Sequence, residues 1–273
     1  MKRQGGFTIL ETTLVLGISA ALFAMAFGII TLIARQRFND TMVSLRNAIQ
    51  AEYEEVRHGI NPRQQANICG IDTIAGASAN DCLVMGKVIR FENNRDFFET
   101  SYVVGTGARV GAGINWDSWP NLGNLNLNDE QAIRNTRLQV VGDMGIPGIN
   151  WERTYLKWGG RIENSRAFNY TNNDLRLGAN LIAILRSPIS SSITVFATNT
   201  TMMHIDGVLE LEDFGSWTHN TVAILIRNSQ RGFQGGAICI DPNSVSTSTR
   251  MTLPADPHEI GLSNLRALCE RAI

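Results

Sequence analysis

The chain has 273 residues, 44% of them apolar and 18% charged, and 24 basic against 25 acidic side chains leave a net charge of −1. That is the composition of an ordinary globular protein, and it excludes a general attraction to polyanions. Arginine outnumbers lysine 21 to 3, for which the base composition of the genome is the plainest account.

The first eleven residues run Met1-Lys2-Arg3-Gln4-Gly5-Gly6 and then Phe7-Thr8-Ile9-Leu10-Glu11. A short basic leader ends in a glycine pair, and a long apolar run starts at once with Phe7. Glu11 is the single carboxylate inside that run, and no charge follows from Thr12 to Ala34. An acid within an apolar span is costly and is usually kept for a function. Residues 12–34 are long enough to cross a bilayer as a helix, which takes roughly 20 apolar residues. Lys2, Arg3 and the amino terminus precede the span and place its start in the cytoplasm, while Arg35 and Arg37 beyond it pull the other way. No A-x-A-type site follows the apolar run within signal-peptide length, so its removal as a secretory signal is not expected.

Glycine before an aromatic residue, an acid four residues after that aromatic, and an unbroken apolar run beyond coincide here. This segment resembles the prepilin signal of type IV pilins and type II secretion pseudopilins. In that family a membrane peptidase cuts after the glycine and methylates the new amino terminus. The resemblance implies a leader at residues 1–6, cleavage between Gly6 and Phe7, N-methylation of Phe7, and Glu11 as the acid that guides assembly. On a helix Phe7 and Glu11 lie one turn apart, about 6 Å in rise. A protonated amine at Phe7, from the same chain or a neighbour, would offset the carboxylate. An unpaired charge in a low-dielectric core is costly and a paired one is tolerated, so the pair would set the register of an added subunit. The proline that many pilins carry in this segment is absent, and Gly17 and Gly28 are its only weak points for helix formation.

The helical pattern continues past the membrane. Phe38, Met42, Leu45, Ile49, Tyr53 and Val56 recur at spacings of three and four, which makes one apolar stripe. Asp40, Arg46, Glu52, Glu54, Glu55 and Arg57 fall to the other faces on this reading, and Gly59 and Pro62 end the helix. One helix is expected from about residue 8 to 58, with 7–34 as its transmembrane half and 35–58 as an amphipathic continuation. The stripe is too short for a convincing coiled coil, so packing against a sheet is expected.

Residues 59–273 are expected to form one exported, β-rich domain. Strand candidates are Leu83–Phe91, Phe97–Val104, Arg137–Val141, Tyr155–Ile162, Ala183–Leu185, Ile193–Ala197, Val222–Arg227, Ala237–Ile240 and Met251–Leu253. Asn93-Asn94 reads as a tight hairpin turn between the first two. No helix–strand alternation appears, so the sheet should be mainly antiparallel. Residues 105–136, rich in Gly, Asn and Trp, read as a long excursion, either functional or a decoration packed down by Trp116 and Trp119. The expected fold class is therefore α+β: a long amino-terminal helix on a mainly antiparallel, pilin-like sheet.

Four cysteines follow the span: Cys69, Cys82, Cys239 and Cys269. Export would place them where disulfides form. Of the three possible pairings, Cys69–Cys82 with Cys239–Cys269 is preferred, the second pinning the last strand region to a helical stretch near Leu262–Leu268; a carboxy-terminal disulfide loop also recurs among pilins. Pairing of the post-helix loop with the carboxy terminus stays open. No C-x-x-C or C-x-x-H spacing supports zinc.

Little in the chain suggests catalysis. His58, His204, His219 and His258 form no H-E-x-x-H pattern, and no G-x-S-x-G elbow or Walker loop is present. Gly105-Thr106-Gly107 and Gly111-Ala112-Gly113 lack the strand–turn–helix context of a dinucleotide site. Asn172, Asn173 and Asp174, or Asp241 and Asn243, could ligate calcium, but turn chemistry explains them more simply. No enzyme activity, cofactor or metal is expected. The implied partners are the membrane, a prepilin peptidase, other pilin-like subunits and an inner-membrane assembly platform, in a pilus, a type II secretion filament or a DNA-uptake filament. The domain's size favours a minor subunit. The alternative is a minor pilin acting as a binding module for DNA, a surface or secreted cargo; for DNA the only loose candidates are Arg250 and Arg266.

Overall fold

The computed structural model describes residues 8–59, 83–92, 94–109, 116–117, 128–143, 150–162, 175–177, 180–198, 208–209, 221–228, 235–240 and 247–252. An α+β architecture results: a long amino-terminal helix and two sheets built almost wholly from antiparallel pairs. Helix α1, Ile9–His58, runs without a break through Gly17 and Gly28. Both glycines sit in open space, with no atom within 4 Å of where a Cβ would stand. Neither packing nor a kink acts on the helix there, so the modest helix penalty of glycine is absorbed. The helix ends at Gly59, whose φ of 81° suits glycine, and the Gly59 amide donates to the Val56 carbonyl at 3.3 Å.

Two environments divide this helix. Ile9–Ile30 is 22 residues long, none of it covered by the rest of the chain, and large side chains such as Leu16, Phe23 and Phe27 stand in the open. By length and composition the segment is apolar enough to cross a membrane. At Phe38, only 2% exposed, the environment changes. From there Phe38, Met42, Leu45, Ile49 and Val56 form the buried stripe that their spacing predicts, with Tyr53 half-buried beside them.

The first sheet explains what the stripe packs on. Strands β1 (Leu83–Arg90), β2 (Phe97–Arg109), β8 (Leu181–Arg186) and β9 (Ile193–Thr198) form its centre and one edge, in the order β2-β1-β8-β9. Side chains of successive residues point to opposite faces. Ile89, Phe91, Phe98, Ile182, Ile184 and Val195 therefore line the face that meets α1, while Val88, Val103, Leu181, Ala183, Leu185 and Phe196 line the other. The second face is covered in part by Ile133 of a short helix α2, Asp129–Arg134. Burial on both faces explains why β8 reads as a nearly continuous apolar run, Leu-Ile-Ala-Ile-Leu.

The opposite edge of β2 is shared. Strand β5 (Glu152–Tyr155) pairs with Phe97–Thr100, and β4 (Thr136–Val140) with residues from Val103 to Ala108. Strand β3 (Trp116–Asp117) meets Ala108 and Arg109, and β10 (Val208–Leu209) pairs with β4. A bulge in β1 between Val84 and Gly86 brings β8 so close that a Cβ on Gly86 would lie 2.0 Å from the Ile184 carbonyl oxygen. Only glycine fits there.

The second sheet has the order β13-β12-β11-β6, with β6 (Gly160–Ile162), β11 (Thr221–Asn228), β12 (Gly235–Ile240) and β13 (Thr247–Thr252). Strand β7 (Leu175–Leu177) joins β11 in the one parallel pairing among the described residues.

Two expectations need correction. The single strand expected over Tyr155–Ile162 is two strands, β5 and β6, on different sheets. A 3-10 turn at Lys157–Gly159 separates them, in which Trp158 and Gly159 take φ values of 58° and 72°; left-handed backbone ends an extended strand. The excursion at 105–136 is shorter than expected, because pairing with β3 and β4 extends β2 to Arg109 and α2 occupies its far end. The tight turn expected at Asn93-Asn94 is present: the Arg95 amide donates to the Glu92 carbonyl at 3.4 Å, and Asn94 takes the left-handed conformation. The helical stretch expected near Leu262–Leu268 lies outside the described residues.

Candidate functional site

Thr8 and Glu11 open the long helix as a reciprocal cap. The Thr8 hydroxyl oxygen accepts from the Glu11 amide at 3.3 Å, and Glu11 Oε2 accepts from the Thr8 amide at 2.9 Å and from the Thr8 hydroxyl at 3.1 Å. This is a capping box, S/T-x-x-E, which satisfies two of the donors that a helix start leaves without partners. The carboxylate also lies at the positive end of the helix dipole. Thr12 and Thr13 return their hydroxyl protons to the Thr8 and Leu10 carbonyls at 2.9 and 3.0 Å. Thr8, Glu11, Thr12 and Thr13 thus engage their side-chain polar groups within the helix start, which suits an apolar surrounding. Glu11 is nonetheless exposed on the molecular surface. One carboxylate therefore has a local partner and an open side from which a second group can approach.

A second polar cluster locks the other half of the helix to the sheet. Lys87 of β1 is 4% exposed and points at α1, where its Nζ lies 2.6 Å from Glu52 and 2.7 Å from Glu55. Tyr102, opposite Lys87 on β2, donates its hydroxyl to Glu55 at 2.8 Å, and the ammonium lies 4.7 Å from the Tyr102 ring centroid. Burial opposes the charge on Lys87, but the hydrogen bonds to both carboxylates outweigh it and raise its pKa above the usual lysine value. Burial first, and then donation to Glu55, push Tyr102 up to about 12. A lysine held charged in this way has no free lone pair near neutral pH and is no nucleophile. The cluster is a fastening that fixes which turn of α1 faces which residue of β1.

On the opposite face Glu99 is 3% exposed and accepts from Arg90 Nη2 at 2.5 Å and Arg153 Nε at 2.8 Å. Burial would raise the Glu99 pKa, but the two guanidinium groups hold it below the usual carboxylate value. Arg90 also stacks 4.1 Å from the Trp151 ring, whose Nε1 donates to Asp143 at 2.6 Å.

Of the residues that the sequence singles out, Glu11 stands in the first turn of α1, while Gly6 and Phe7 lie outside the described residues. So do Cys69, Cys82 and Cys269. Cys239 stands in β12, opposite Ala223 of β11 and Ser248 of β13. The assignment of Glu52 and Glu55 to outward faces of α1 is overturned, since both turn to the sheet to meet Lys87. Thr8 was missed as a partner of Glu11, although the T-x-x-E spacing before an apolar run marks a capping box. The sign of the Lys87 cluster was a lone lysine in the otherwise apolar stretch Leu83–Ile89. No family model, curated protein or solved structure matches the chain.

Proposed function

We propose that the chain is a pilin-like subunit, a minor pilin or pseudopilin, anchored by α1 in the cytoplasmic membrane and assembled through that helix into a filament. One observation carries the reading: a single continuous helix is bare and apolar over Ile9–Ile30, bears an acid in its first turn, and is buried along one stripe against an antiparallel sheet from Phe38 on. A helix of this kind needs two different surroundings, and a membrane that hands it on to a bundle of like helices would supply both for the bare half. The resemblance of the first eleven residues to a prepilin signal agrees with this. The amino terminus would face the cytoplasm and the sheet domain the periplasm or the exterior. Cleavage between Gly6 and Phe7 and N-methylation of Phe7 are then expected, and intact-mass and amino-terminal peptide spectrometry of the protein from its native host checks both. An unprocessed Met1, or a cut beyond the apolar segment, would overturn the reading.

Export also carries the four cysteines into an oxidising compartment. Cys69–Cys82 and Cys239–Cys269 disulfides are expected, each adding roughly 3–4 kcal/mol in the chain-entropy account. Non-reducing peptide mapping of the exported protein would show them. A Cys69–Cys269 peptide would refute the pairing alone, and four thiols that alkylate without denaturant would refute oxidation.

A further inference from the structure

We propose that the Lys157–Gly159 turn is a membrane-surface contact, which seats Trp158 in the phospholipid headgroup layer of the bilayer that α1 crosses. The inference rests on the reading of Ile9–Ile30 as a membrane span. The turn is fastened to α1 at one height: the Thr41 hydroxyl donates to the Lys157 carbonyl at 2.5 Å, and a Cβ on Gly160 would lie 2.4 Å from Thr41 Cγ2. Arg37 places its guanidinium 4.9 Å from the centroid of the Trp158 ring. That height is where the bare part of the helix ends, one residue before Phe38 enters the core. Glu11 and Arg35 are the charges on either side of the uncharged stretch from Thr12 to Ala34. A hydrocarbon core about 30 Å thick, centred between them, ends near Ile33, which puts Arg37 about 6 Å and Thr41 about 12 Å beyond it on a helix rising about 1.5 Å per residue. The headgroup layer occupies roughly the first 5–7 Å of that interval.

The chemistry at this height suits that layer. Trp158 is 50% exposed although it is a large aromatic, and it holds a φ of 58° that glycine would adopt more easily. Arg37 and the Thr41 bond hold the turn in place, and they leave half of the indole on the surface, turned to whatever lies outside the folded domain. Arg37 and Lys157 are exposed beside it, and one indole flanked by two cations is the composition of a membrane-interface anchor.

The test uses the full chain and its Trp158→Gly variant, each reconstituted into vesicles of phosphatidylcholine and phosphatidylglycerol. Glycine suits the backbone at this position, so the variant should fold, and its thermal unfolding in detergent should match or exceed that of the wild type. The vesicles carry lipids brominated either near the headgroup, at the sixth and seventh acyl carbons, or deep, at the eleventh and twelfth. Emission of the wild type minus that of the variant isolates Trp158. The expected result is quenching about twofold stronger by the shallow bromines than by the deep ones. Resistance to alkaline carbonate extraction tests the span separately. A chain that resists extraction but whose Trp158 emission no bromine quenches would overturn the contact alone. A blue-shifted, unquenched emission would mean that a second copy covers Trp158, and would overturn it as well. A chain that carbonate extracts would overturn the span and the contact together.

Discussion

Replacing Lys87 with methionine should destabilise the fold by about 2–3 kcal/mol, less than the cost of breaking a fully buried pair because solvent partly screens the half-buried Glu52 and Glu55 carboxylates left without their counter-charge. Methionine keeps the volume of the lysine stem, so packing loss is small and the effect isolates the charge. Glu52 suffers most, because it lies deeper than Glu55, which keeps the Tyr102 hydroxyl. If the loss is electrostatic, Lys87→Met combined with Glu52→Gln and Glu55→Gln should recover most of it. If the loss is one of packing, the triple variant should be at least as unstable as the single. Denaturant unfolding of the full chain in detergent micelles would separate these outcomes.

The same cluster predicts an alkaline limit. Lys87 and Tyr102 both have folded-state pKa values above their ordinary ones. Their contribution is therefore complete below about pH 10 and is lost as pH rises through the folded values, for Tyr102 through about 12. Tyr102→Phe should remove its share of that decline. On the acid side Glu99 behaves in the opposite sense: its lowered pKa contributes stability above the ordinary carboxylate range of about 4.5, and that contribution is lost as pH falls through the folded value.

Most of the elements were legible because hydrophobic period is a local signal. The α1 stripe from Phe38 to Val56 and the strands near 83–90, 97–104, 181–186, 193–198 and 221–228 follow directly from spacing and β-branched content. Strands β3, β7 and β10 are two or three residues long and exist only through their partners, so no period announces them. The break at Trp158 was hidden for a related reason. An aromatic residue favours strand by composition, and only the fold holds it in left-handed backbone against Arg37 and Thr41. Glu52 and Glu55 were misplaced because a helical wheel counts acids as outward. Yet Glu52 lies three residues after Ile49 and four before Val56, which is on the stripe itself. A buried lysine partner inverts the usual sense of such a position, and pairing across 32 and 35 residues of sequence has no local mark. The Thr8–Glu11 cap did have one, in its T-x-x-E spacing. The prepilin-like pattern marks the acid alone, and Thr8 stands in a stretch that is otherwise apolar up to Glu11.

Glu11→Ala should reduce recovery of the protein in sheared filaments by about 100-fold or more while leaving the sheet domain folded. A carboxylate paired with a neighbour's amine in a low-dielectric core contributes on the order of 3 kcal/mol to keeping a subunit in place, and each ~1.4 kcal/mol is tenfold in affinity. The cap makes a sharper comparison possible, because different substitutions separate the capping contact of Glu11 from its proposed role in assembly. Thr8→Val removes the hydroxyl from the cap and should cost only about 1 kcal/mol of helix stability, with the Thr8 amide still able to donate to Glu11. Glu11→Gln keeps the reach-back of a capping box, since glutamine serves at that position, but loses the charge. If Glu11 matters as a charge that draws an amine, Glu11→Gln should fail in assembly nearly as badly as Glu11→Ala, and Thr8→Val should assemble. If its work is local capping, the order reverses, with Thr8→Val impaired and Glu11→Gln close to wild type. Membrane and sheared-filament fractions from the native host, probed for each variant at matched expression, give the order directly. Because all three variants alter only the polar start of the helix and leave the uncharged stretch from Thr12 to Ala34 intact, equal amounts in the membrane fraction are expected, so a filament deficit reads on assembly and not on insertion.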